Sequence, residues 1–147
     1  MHKIRLVDFG FASRFLDKHG KHIKEEEVDV FRGNMVFASV NMFDFKSPSR
    51  RDDLMSLCYL LIYLLNSGNV PFVVDNNMSK NEVFLHIMNI KLNMPLEELC
   101  SYNKSRAWPM LKMFKCIFDL SFDESPDYSS YRQMLKECIH SQGHEYD

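Results

Sequence analysis

The apolar positions along this chain change period several times. Ile4, Leu6 and Val7 are strand formers, and Asp8-Phe9-Gly10 ends them. Phe11, Ala12 and Phe15 permit a second short strand. From Leu16 to about Gly33 the sequence is polar and carries His19, Gly20, His22 and the run Glu25-Glu26-Glu27. It reads as a long loop, and loops of that length without structure of their own tend to be functional.

The period then becomes helical. In "SPSRRDDLMSLCYLLIYLLNSG", Asp52 or Asp53 caps a helix that runs to about Asn66, with Gly68 just past its end. That helix is apolar nearly all round, from Leu54 to Leu65, which predicts a central helix wrapped on all sides by others. "SKNEVFLHIMNIK" opens on Ser79 with Glu82 three residues later, a capping-box pattern, and sets Val83, Ile87 and Ile90 on one face. Pro95 stops or follows it. "WPMLKMFKCIFDL" has Pro109 where a first helical turn tolerates it, then Leu111, Phe114, Ile117 and Phe118. "YSSYRQMLKECI" lines up Tyr131, Met134, Leu135, Cys138 and Ile139. The sum is a mainly α fold: a short strand pair, one long loop and four to five helices around one buried helix.

Composition narrows the class. The 147 residues predict one domain, with no interior linker to divide it. The net charge of −2 argues against nucleic acid and anionic membranes as partners. The longest apolar stretch, Leu57 to Leu65, is too short to span a bilayer, and "MHKIRLVDFG" lacks the apolar region of a secretory signal. The expectation is an intracellular protein, cytoplasmic or nuclear. Cys58, Cys100, Cys116 and Cys138 form no C-x-x-C pair and read as buried free thiols. The glutamate run reads as a solvated loop. His19 and His22 lie three apart without a second ligand pair at zinc spacing, so they read as loop histidines. His140 and His144 fall in a tail, 140–147, expected to fray.

Four motifs in order carry a resemblance. "DFG" after a short strand looks like the metal-binding motif of protein kinases. "FASVN", "SPSRRDDLMSLCYLLIYLLNSGNVPF" and "SFDESPDYSSYRQML" resemble the casein kinase I family of serine/threonine kinases. The resemblance spans nearly the whole chain, and implies a partial kinase domain over 1–139: the activation segment and C-terminal lobe, with the N-terminal lobe absent. It implies that Asp8 would hold the Mg²⁺ that bridges the ATP phosphates, because a hard cation takes carboxylate oxygen. Phe9 would pack in the column that sets the active state, and Gly10 would let the backbone turn. Phe11 to Gly33 would be the activation segment. Gly33 to Asn41, including Asn34 and Ser39, would be the floor for a serine- or threonine-containing protein substrate. Asp53 would accept hydrogen bonds from the catalytic-loop backbone. Arg50 and Arg51 read as salt-bridge or helix-start residues in preference to substrate contacts.

The family's glycine-rich loop, strand lysine and histidine-arginine-aspartate loop all precede the DFG motif, and this sequence starts seven residues before Asp8. The expectation is a chain that is not a competent kinase alone and supplies no catalytic base. A non-catalytic kinase-lobe binding or regulatory module is the alternative. Val36 and Val83 stand where the family usually has basic residues that favour already phosphorylated substrates, so that preference is not expected. Asn34 replaces threonine, Cys58 a glycine common in kinases, and Phe72 a tryptophan, which implies a divergent member.

Overall fold

A computed structural model describes residues 4–72, 74, 77–104 and 106–141. Six α-helices occur among them: α1 (Val40–Phe43), α2 (Arg50–Leu65), α3 (Lys80–Asn93), α4 (Leu96–Ser101), α5 (Leu111–Phe118) and α6 (Tyr128–Ser141). Helix α2 packs on α5, α5 on α4, and α1 on α3. The core they enclose is built from Phe43, Tyr59, Ile62, Ile87, Phe114 and Ile117, all essentially inaccessible. The mainly α class expected from the periodicity is therefore present.

The expected strand pair is not. Ile4, Leu6 and Val7 belong to no strand and are exposed, Ile4 at 97 %. A strand needs a neighbour for its backbone donors and acceptors, and no described segment lies beside this one. The described β structure consists of two isolated antiparallel bridges, Leu16 with His22 and Glu27 with Lys46. The first closes a turn in which Asp17 Oδ1 accepts the amides of His19 and Lys21 at 2.8 and 2.9 Å, with Gly20 at φ +76°. The second bridge ties the long loop back to the segment after α1.

Helix α2 starts earlier than the carboxylates predict. Its N-cap is Ser49, and Asp52 sits in the first turn, reaching back to accept the Ser49 amide at 2.8 Å. Gly68 follows the helix end at φ +84° and donates its amide to the Tyr63 carbonyl. The helix is not wrapped on all sides: Leu57, Leu60 and Leu64 are 41, 37 and 63 % exposed.

Helix α3 begins on the expected reciprocal cap between Ser79 and Glu82. Pro95 then caps α4, a short helix the apolar period did not reveal. Trp108–Met110 form a 3-10 turn with Pro109 in it, leading into α5. Helix α6 carries the expected stripe and includes His140 and Ser141, so these two residues of the tail expected to fray are helical. His144 lies outside the described residues. Cys58 and Cys100 are buried, but Cys116 is exposed and Cys138 half-buried, and all four thiols are free. No described helix is long and apolar enough to cross a membrane.

Candidate functional site

Asp8 occupies the left-handed region at φ +63°, uncommon for a non-glycine residue. Its Oδ1 accepts the Gly10 amide at 3.2 Å, a local turn that aspartate supports. Asp8, Phe9 and Gly10 are all exposed. No group of three or more His, Cys, Asp or Glu side chains converges among the described residues. Mg²⁺ is usually held by one or two carboxylates together with substrate phosphates and waters, and Asp8 supplies one exposed carboxylate in this stretch. His22 Nδ1 lies 2.8 Å from the Ile23 carbonyl, and its ring packs edge-on against Phe122.

The expected substrate floor divides in two. Gly33 and Asn34 are exposed, Gly33 at φ +133°, where a side chain would be strained. Asn34 organises a tight turn: its carbonyl takes the amides of Phe37 and Ala38, and its Oδ1 takes that of Val36 at 2.8 Å. Ser39 and Asn41, by contrast, are committed inward. Ser39 Oγ donates to Asp52 Oδ1 at 2.5 Å and Asn41 Nδ2 donates to the same oxygen at 2.9 Å. Both side chains thus tie the segment before and within α1 to the first turn of α2. Val36 and Val83 pack against the core as apolar side chains.

The buried carboxylate of α2 is Asp52, and Asp53 is the exposed one. Residue 52 faces α1 and the floor, while residue 53 points about 100° further round the helix, toward the uncovered stripe. Asp53 titrates above the ordinary aspartate value, first because of burial by its surroundings and second because Asp52 is beside it. Arg50 and Arg51 behave as structural residues. Arg50 stacks over Phe15 at 4.4 Å and donates to the Asp123 carbonyl at 3.1 Å. Arg51 pairs with Glu25 at 2.5 Å and lies over Phe122 at 5.5 Å. Together they dock the long loop onto the start of α2, so Glu25 is a partner in an ion pair and not merely solvated.

One residue escaped sequence reasoning. Lys91 is 8 % exposed, with its ammonium donating to the carbonyls of Met35, Val36 and Ala38 at 3.0, 2.9 and 2.5 Å. The signal was present: Lys91 continues the face of Val83 and Ile87 at a spacing of four. Beside it lies a cavity of about 260 Å³ lined by Tyr59, Phe72, Met94 and Leu99 among others. A scan against models of known protein families finds no match for this chain.

Proposed function

We propose that this chain is the C-terminal lobe of a casein kinase I-like serine/threonine protein kinase, of intracellular location, whose remaining catalytic parts lie outside these 147 residues. The observation that carries the proposal is the uncovered stripe of α2. Leu57, Leu60 and Leu64 follow Asp53 along one side of the helix, exposed, while Met55, Cys58, Tyr59 and Ile62 on the other side are buried. An apolar stripe headed by a carboxylate of raised pKa fits a segment that brings both apolar cover and backbone N–H donors, as a catalytic loop would. Phe9 and Phe11, also exposed, extend the apolar surface beside Asp8.

In the intact enzyme, phosphoryl transfer would run from ATP to a serine or threonine hydroxyl, with magnesium neutralising the phosphates. The roles this chain would supply are limited. Asp8 offers one carboxylate ligand, the turn at Gly33 and Asn34 offers an open peptide edge, and the Ser39–Asp52–Asn41 cluster stiffens that edge from below. The catalytic base would come from elsewhere.

The test is complementation. The chain is mixed with a separately produced kinase N-terminal half that carries the glycine-rich loop, strand lysine and catalytic loop. Transfer of the ATP γ-phosphate to a serine peptide is expected only with both halves, and is lost in Asp8→Asn. Failure to associate, or transfer indifferent to Asp8→Asn, overturns the proposal. A second reading, a non-catalytic lobe that docks protein partners, is favoured by the long loop being held on the start of α2 through Arg50 and Arg51. It predicts a stable 17.4 kDa chain that binds a protein partner and no ATP.

A further inference from the structure

We propose that Lys91 is a positioning residue: its ammonium sets the backbone shape of residues 35–38 and, through that shape, the affinity of this segment for peptide. The second half of the statement rests on reading 33–41 as a peptide floor, and the first half does not.

An ammonium has three N–H donors and no acceptor. Here each is matched to one carbonyl, all three from a single loop, Met35, Val36 and Ala38. The turn's own amides are spent on Asn34, so these three carbonyls converge on a point that only an external donor can occupy. The rings of Tyr59, Phe72 and Phe43 surround the same nitrogen at 4.1, 4.9 and 5.2 Å. Their faces attract a cation and exclude water. Among the described residues no carboxylate lies within ion-pair distance of Lys91. Loop carbonyls are the hydrogen-bond acceptors of the ammonium, beside the three ring faces, so ammonium and loop conformation depend on each other. An apolar side chain at 91 would fill the space yet leave three converging carbonyls to repel one another, and the loop would open to hydrate them. Because the loop includes the Asn34 turn, opening it would move the exposed edge on which a peptide would lie.

The experiment measures hydrogen exchange of the Val36, Phe37 and Ala38 amides in the full chain at about pH 6, where the Lys91 amine is protonated. In Lys91→Ala these amides are expected to exchange at least about tenfold faster, with the α5 amides unchanged. Added n-propylammonium is expected to restore protection, while n-propanol of similar size is not. Unchanged exchange at 36–38, or rescue by propanol as good as by propylammonium, overturns the positioning role in favour of space filling. Lys91→Met, which keeps the volume, tests the same selective exchange if the alanine variant does not fold. In the wild type, scalar couplings across the hydrogen bonds from Lys91 Nζ to the three carbonyl carbons are expected, and their absence also overturns the proposal. Peptide affinity is then titrated with an unphosphorylated serine peptide. Binding by wild type that weakens about tenfold in Lys91→Met supports the full statement. Absence of wild-type binding overturns the peptide half together with the floor reading, and the exchange data then judge Lys91 by themselves.

Discussion

The hydroxyl of Ser39 donates to the carboxylate of Asp52 at 2.5 Å, with both side chains at 1 % exposure or less. Through this bond the segment before α1 and the first turn of α2 share one buried acceptor. Asn41 Nδ2 and the Ser49 amide donate to the same carboxylate at 2.9 and 2.8 Å, and Arg51 Nε lies 3.5 Å from it. Three donors, from the segment around the start of α1 and from the cap of α2, are thus fixed by one carboxylate.

Asp52→Ala leaves three donors without an acceptor inside the core. The expected loss is about 2–4 kcal/mol of stability, because hydrogen bonds to a buried charge are worth more than neutral ones and their orphaned donors stay dry. Urea denaturation checks it. A midpoint near that of the wild type would mean the cluster is hydrated and not buried.

Asp53→Asn separates the two neighbouring aspartates. Asp53 has a raised pKa, so the folded chain binds its proton more readily than the unfolded one. Stability contributed by this group therefore falls as pH rises above the ordinary aspartate value, and the penalty persists at neutral pH. The Asn variant is expected to unfold at higher urea than wild type at pH 7, and at the same urea once both states of Asp53 are protonated. If the proposed function holds, the same variant weakens transfer in the complemented enzyme, where Asp53 gains donors.

Burial draws the Lys91 amine down from 10.5 to about 7. Between these values the unfolded chain holds the extra proton, so this group makes stability rise with pH from about 7 upward. The test window ends at about pH 8.5, where unfolded thiols start to ionise and the raised Cys58 and Cys100 begin to act in the opposite direction. Within it, Lys91→Met is expected to flatten the slope and to lower stability by roughly 2–3 kcal/mol through its unpaired carbonyls. An unaltered slope would show that the amine is charged in both states.

Leu57→Lys with Leu64→Lys addresses the uncovered stripe of α2. Both side chains face solvent, so the expected change in stability is within about 0.5 kcal/mol. Self-association is expected to fall, read by light scattering across concentration. Ile62→Ala, on the opposite side and fully buried, is expected to cost about 2–5 kcal/mol. Equal costs at 57/64 and 62 would mean that the stripe is covered.

The sequence alone determined the four longer helices, because such a helix advertises its own ends and faces, while the short α1 and α4 gave no comparable signal. Ser79 with Glu82, Pro109, Gly68 and the Tyr131 stripe are local signals, and each lies where the periodicity put it. It also carried the motif resemblance from which the proposed function starts. What it could not decide was long-range. The strand at Ile4–Val7 has the right residues but no described neighbour, and strand pairing is a property of two segments. Which of two adjacent aspartates is buried depends on about 100° of rotation about α2, and only the packing of α1 and α5 fixes that rotation. Ser39 and Asn41 turned inward for the same reason, their acceptor lying 13 and 11 residues away in sequence. Lys91 is the clearest case. A lysine on an apolar face reads as exposed until the fold brings three loop carbonyls, more than 50 residues distant, around its charge.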